Sequence, residues 1–398
     1  MTNKKRSTKK NKATLLSKGN NYRYKQIRQK LENLNILNKL VPFNTRKYSP
    51  KDYFTVLEQA SIQEISIKQT CLMSRLQNRS CPSPEQVMKC CRSNSLETMT
   101  NFINTTLKEQ FYVLPKNIQQ QLKKAGTLII DFHQDPYYGV KDNPDVRKGK
   151  LKKSTNLFYE YFTADLYCKT GCFTIAIFHR TPGENIFSLT KRLLEHVKET
   201  LNLKIIIFDG EFPAIDVLNF LQQNDIKFLG RKSRTNKVKE HLKEYYGEND
   251  WQKKRKWRPI ELFSNLSQSK KIRVDICPQN VRGEIKTLIK TSGWSITPKY
   301  GDKLYKKRFN IETGFRDKHK FQIFTCTKIL STRLLFFLIA CIQWNCWQGF
   351  LIWVRSLKSY SKSLPRTFIV QTSATWFKFY LINTLNHSRG DNFLKEVM

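Results

Sequence analysis

The sequence predicts an α/β fold: a mixed sheet flanked by helices, with a helical region before it and a basic insertion late in it. Three observations carry this reading. Capped helical patterning over residues 50–112 gives way near residue 125 to an alternation of strands and helices. Two short apolar runs, Gly126-Thr127-Leu128-Ile129-Ile130-Asp131 and Lys204-Ile205-Ile206-Ile207-Phe208-Asp209, read as buried strands that each end in an acid. A basic, less regular stretch then separates this alternation from a last helical segment.

Along the chain, residues 1–50 form a basic arm, since residues 1–30 hold eleven Lys/Arg and no acid. Residues 51–120 are a helical, DNA-binding candidate region. Ser83-Pro84-Glu85-Gln86 has the form of a capping box with Pro at the first helical position, and Asn94-Ser95-Leu96-Glu97 has the form of a second. Two short capped helices in a basic chain fit a helix-turn-helix reader, and equally a small bundle that packs on its neighbour. Residues 121–230 carry strands at 126–131, 157–167 and 172–179, a helix at 185–200, a strand at 204–209, a helix at 213–223 and a strand at 226–230, giving the order β-β-β-α-β-α-β. Residues 231–300 are the basic insertion: from Lys227 to Arg258 there are twelve Lys/Arg against four acids, with Trp251 and Trp257 interleaved. Residues 301–356 hold a long helix that begins near Leu304 and continues into an apolar segment. Residues 357–398 are a basic tail.

Composition narrows the function. With 71 Lys+Arg against 32 Asp+Glu the formal charge of the 398 residues is +39, and aromatics make up 12%. Disorder throughout and an ordinary enzyme for a small cationic substrate are both excluded. The charge points to a polyanion. The polar, basic first dozen residues lack an apolar signal core, and the ten cysteines are irregularly spaced with no CxxC pair. A cytoplasmic, nucleoid-associated protein with reduced thiols and no structural zinc is expected. Leu334 to Val354 has no charged residue and is long enough to span a bilayer, but Gln343, Asn345 and Gln348 interrupt it. It reads as a buried core helix, and no membrane partner is expected.

An acid after an apolar strand is more often a turn or cap residue than a catalyst. Two in one sheet say more, because open α/β sheets place their sites at the carboxyl edge of the strands. Tyr305, Arg308, Glu312, Arg316 and His319 follow at offsets of 3, 7, 11 and 14 residues from Tyr305, which at about 100° per residue form one narrow helical stripe. A mixed-charge stripe usually faces water, yet this one leads into the most apolar segment of the chain. Three carboxylates with only six histidines suit hard cations with oxygen ligands, Mg²⁺ or Mn²⁺, and two such ions about 3.5–4 Å apart would serve phosphodiester chemistry.

At these residues the chain resembles the DDE transposases of bacterial and archaeal insertion sequences. The strand order, Asp131, Asp209 and Tyr305-x2-Arg308-x3-Glu312 match their pattern, as does the run Asp131-Phe132-His133 through Pro136-Tyr137-Tyr138-Gly139. Asp209-Gly210-Glu211-Phe212 is similar to the Asp-Arg-Glu-Phe of that family, with Gly210 departing. The similarity spans residues 125–350. It implies an RNase H-like core, Asp131, Asp209 and Glu312 as catalytic and metal-binding acids, and two bound ions. It further implies Arg308 on the scissile phosphate and Tyr305 on the DNA. The family's lysine seven residues after the glutamate is His319 here, so DNA contact falls to His319 or Lys320, with Arg316 beside them. An extruded base would stack on an aromatic of the insertion, for which Trp251, Trp257 and Trp294 are candidates. The implied reaction nicks the element ends and joins the freed 3′-hydroxyls to target DNA. The implied partners are double-stranded terminal inverted repeats, target DNA and a second protomer holding the other end. The alternatives are an RNase H-like nuclease without strand transfer and a non-catalytic DNA-binding protein from an inactive copy.

Overall fold

The structure, a computed structural model, describes residues 47–114, 116–152, 154–168, 171–232, 238–244, 256–263, 271–281 and 284–358, with 374–375 and 377–378. The basic arm up to residue 46, Trp251 and most of the C-terminal tail lie outside these residues. The chain divides into two compact units, Met1–Gln119 with Arg316–Met398, and Gln120–Phe315.

The first unit is helical. It contains α1 (Pro50–Gln63), α2 (Ile67–Leu76), α3 (Pro84–Arg92) and α4 (Leu96–Val113); α5 (Lys116–Ala125) crosses its boundary. Ser66 and Ser83 close capping boxes with Gln69 and Gln86, as the spacing at Ser83 predicted. At the next helix Ser95 is the cap and accepts from the Thr98 N–H at 3.1 Å, a simple cap. Met99, Ile103, Leu107 and Phe111 recur at helical spacing along α4 and are fully buried. Their partner is α10 (Leu330–Lys358). Gln110 donates to the Ile342 carbonyl at 2.9 Å and accepts from Asn345 at 2.9 Å, so a polar residue that interrupts the apolar segment is satisfied inside the protein. Leu330–Gly349 is buried throughout and is the one candidate bilayer span among the described residues. The nine cysteines whose side chains are described form no disulfide.

The second unit is built on a nine-stranded sheet in the order β2-β3-β1-β5-β6-β9-β8-β7, with β4 also paired to β3. The strands are β1 (Thr127–Pro136), β2 (Arg147–Lys152), β3 (Thr155–Cys168), β4 (Gly171–His179), β5 (Ile205–Phe208), β6 (Lys227–Lys232), β7 (Arg258–Phe263), β8 (Lys271–Val281) and β9 (Glu284–Thr291). The helices α6 (Ile186–Val197) and α7 (Ile215–Gln223) separate β4, β5 and β6. Pairing is parallel for β1–β5 and β5–β6 and antiparallel elsewhere. An antiparallel hairpin followed by two parallel crossover strands is the mixed α/β order expected from the sequence.

Four expectations need correction. Arg147–Lys152 is a strand: its composition has no apolar alternation because it is an edge strand with nothing to bury. The first strand does not end at Asp131 but continues to Pro136, paired to β3 as far as Phe158. Residues 231–300 are not simply an irregular insertion, since β7, β8 and β9 extend the sheet antiparallel from β6. The helix expected from Leu304 into the apolar segment is three pieces before a gap: α8 (Pro298–Tyr305), a 3₁₀ turn (Lys306–Arg308) and α9 (Phe309–His319). Residues 322–329 are not helical. There the Thr325 and Thr327 hydroxyls accept backbone N–H bonds from Thr327 and Ile329, which favours turns over helix.

Candidate active site

Register sets the first two acids. Ile129 on β1 pairs with Ile207 on the parallel β5, so Asp131 and Asp209, each two residues on, reach the same level at the carboxyl edge of β5. The backbone behind them is fixed by close packing. Gly230 on β6 pairs with Phe208, and a side chain there would come within 2.2 Å of the Phe208 ring, so only glycine lets that ring lie flat against the strand. Phe132 and Phe212, the aromatics next to or three residues after the two acids, stack with centroids 4.9 Å apart.

The third contribution comes from α8, the 3₁₀ turn and α9. Pro298 follows the Thr297 cap and starts α8. A 3₁₀ turn has three residues per turn, so Tyr305 and Arg308 project in the same direction. Tyr305 and Ile311 are buried with Ile129, Ile207, Leu229 and Leu288, which anchors these turns to the sheet beside the acids. The stripe inferred from a continuous helix is therefore made by a broken one, and the broken one brings its first three members to the acids.

Arg308 is the centre of the arrangement. Its Nη1 lies 3.2 Å from Asp131 Oδ2 and 3.6 Å from Asp209 Oδ2, and its Nη2 lies 2.7 Å from Glu312 Oε1. Its Nε donates to Tyr305 Oη at 3.1 Å, and Tyr305 Oη donates to Asp209 Oδ1 at 3.1 Å. One guanidinium thus touches all three acids and the tyrosine. Its side chain is 4% exposed, against 16% for Asp131, 39% for Asp209 and 47% for Glu312, so the acids open progressively to solvent. Burial pushes the Asp131 carboxyl up to about 7, against the pull of Arg308 and with added repulsion from Asp209 and Glu312. Burial also raises the Tyr305 hydroxyl, which stays protonated as a donor. For Arg308 burial opposes the charge, but Tyr305 and the three acids outweigh it, so the cation is held more firmly than usual.

Three oxygen-donor side chains at one edge are the right donor chemistry for a hard divalent ion. Among the described residues no three His, Cys, Asp or Glu stand close enough to share a cation, because each acid here is turned to Arg308. The residues fit such an ion in kind, and the guanidinium supplies the neutralising charge.

The remaining predicted residues are placed differently. Arg316, His319 and Lys320 belong to the other unit. There Lys320 pairs with Asp317 at 2.8 Å and His319 shares a hydrogen with Gln322. Trp257 is half-buried against Gly301 with Lys290 over its ring at 5.0 Å, and Trp294 packs on the same core as Tyr305. Sequence reasoning passed over Arg231. It follows the buried run Phe228-Leu229-Gly230 at the carboxyl end of a parallel strand, the rule that found both aspartates, and its guanidinium lies 4.9 Å from the Tyr305 ring centre.

Comparison with known proteins bears on the segment that holds these residues. Residues 172–344 match the family described as the transposase DDE domain, a span that includes Asp209, Tyr305, Arg308 and Glu312 and begins after Asp131. No curated protein sequence matches the chain. Among solved structures, that of the piggyBac transposase synaptic complex with hairpin DNA is similar in fold, with a TM-score of 0.51 and 14% identity over 88% of this chain and 76% of that one. Residues 172–344 are thus similar to the transposase DDE domain, and the Tyr-Arg-Glu segment lies inside that span.

Proposed function

We propose that this protein is a transposase that cuts the ends of its own insertion sequence and joins the 3′-hydroxyls to target DNA. The observation that supports it best is the single guanidinium of Arg308 gathering Asp131, Asp209 and Glu312 at the carboxyl edge, inside and next to the segment that matches the transposase DDE domain. In this reading Asp131, Asp209 and Glu312 hold Mg²⁺ or Mn²⁺, two ions in all. Held by these acids, such ions would supply Lewis acidity to the attacking and leaving oxygens.

The chain's own residues do the rest. Arg308 keeps three mutually repelling carboxylates together while the site is empty of substrate. When a phosphodiester enters, its planar donors turn to the non-bridging oxygens and position the phosphorus, a task that suits a bidentate guanidinium. Tyr305, neutral and buried, keeps Asp209 oriented throughout. Arg231, stacked on Tyr305, adds a second positive charge beside the phosphate path. The surplus of basic residues over the whole chain draws the polyanion in, and two protomers hold the two ends.

The test is strand transfer. Pre-nicked duplexes carrying the element's terminal repeats, taken from the DNA flanking the gene, are incubated with the protein, Mn²⁺ and a supercoiled target plasmid. Joined products are expected. Cutting of intact ends without joining would instead make the protein a nuclease of the same fold, and binding with no metal-dependent change in the DNA would leave only a DNA-binding protein.

A further inference from the structure

The edge strand β2 and the loop before it hold a group of cations that the reaction does not use. Residues 137–152 contain Lys141, Arg147, Lys148, Lys150 and Lys152 against Asp142 and Asp145. Lys141, Lys148, Lys150 and Lys152 are all exposed, and Leu151 between them is 75% exposed. Only Arg147 is committed: it pairs with Glu160 at 3.2 Å, and Glu160 also takes Arg180 at 2.9 Å. Lys152 reaches a neutral partner, Gln134, at 2.9 Å. Among the described residues β2 pairs with β3 alone and is the first strand of the sheet order, so none of them covers its outer edge.

The register relates this strand to the acids. Lys148 pairs with Leu157, and Asp131 pairs with Thr163, six residues further along the same strand. Side chains an even number of residues apart share a face, so Lys148 lies on the face of the sheet that carries Asp131. Gly149 takes the opposite face, against the Phe158 ring. Six residues at about 3.3 Å each put Lys148 roughly 20 Å from Asp131 along the strands. Duplex DNA rises about 3.4 Å per base pair, so the separation corresponds to about six base pairs.

We infer that the exposed lysines of β2, Lys148 and Lys150 first among them, form a second phosphate-backbone contact for duplex DNA lying across the carboxylate site. The contact falls about six base pairs from the scissile phosphate, and it reads charge rather than sequence. The inference rests on the proposed reaction on DNA. A lysine-rich edge also discourages strand-to-strand association between copies, and the experiment separates that use from this one.

The full chain in EDTA is titrated with fluorescein-labelled duplexes carrying the element end, with the DNA on either side of the scissile position shortened stepwise. Affinity is followed by anisotropy over a range of salt. For the parent, we expect a drop of about tenfold when one flank falls below about six base pairs, and a plateau beyond it. For Lys148→Gln/Lys150→Gln, which changes only exposed side chains, the long duplexes should bind as weakly as the short ones. The salt dependence should flatten by about 2 in log–log slope, as two lost phosphate contacts require. Parental affinity and slope in the variant would overturn the inference and leave the transposase reading standing, as would self-association of the variant on a sizing column with unchanged DNA binding. A parent that binds no DNA would overturn both.

Discussion

At the scale of single residues, Arg308 and Asp131 carry the most consequence. Removing a buried cation that three acids share leaves uncompensated charge, which commonly costs about 3–5 kcal/mol. Arg308→Ala should therefore lower the thermal midpoint in EDTA, and, if the acids hold metal as proposed, added Mn²⁺ should recover more of it than in the parent, the ion then taking over the neutralising role. Equal Mn²⁺ shifts in both proteins would count against that. Asp131 makes a prediction of opposite sign to an ordinary ion-paired carboxylate. Its folded value is raised to about 7, so between the unfolded carboxylate range near 4 and pH 7 the folded state binds more protons than the unfolded one. The stability it contributes is present at low pH and is lost as pH rises through 7, by up to about 1.4 kcal/mol per pH unit. Metal-free Asp131→Asn should show a flatter dependence of denaturant midpoint on pH from 5 to 8 than the parent does.

At the scale of elements, the legible parts were those where one local rule acts alone. The apolar runs before Asp131 and Asp209, and the Ser83 cap, follow from burial and capping, and the structure has them. Ser83→Ala should cost about 1 kcal/mol in chemical denaturation, the usual worth of such a cap. What stayed hidden depends on partners distant in sequence. β2 is polar, so no periodicity marks it; only the start of β3 beside it makes it a strand. β7 to β9 lie among basic residues whose charge suggested an irregular surface, yet Ile272, Val274 and Ile276 alternate and are buried. The 3₁₀ turn at Lys306–Arg308 is a tertiary outcome: helical spacing found Tyr305, Arg308 and Glu312, but not the break that lets them converge. Close packing makes its own prediction at Gly230. Gly230→Val would force a side chain into the Phe208 ring and should destabilise the protein by about 1–3 kcal/mol while disturbing the level of Asp209.

For the molecule as a whole, the formal charge of +39 and the acids of the site describe two tasks. In the proposed reaction the charge gathers a polyanion, so DNA binding should weaken steeply with salt. The three acids can approach phosphate only when their own charge is cancelled, first by Arg308 and then, in the proposed reaction, by metal. The measurement that tests this most directly is metal-dependent cleavage of element-end DNA by the parent and by Asp209→Ala, with DNA affinity followed in parallel. The expected result is cleavage by the parent in Mg²⁺ or Mn²⁺, at least a thousandfold loss in the variant on the order seen when an essential group is removed, and DNA binding within about twofold of the parent. A variant that cuts the same DNA as fast as the parent would contradict the assignment of the site.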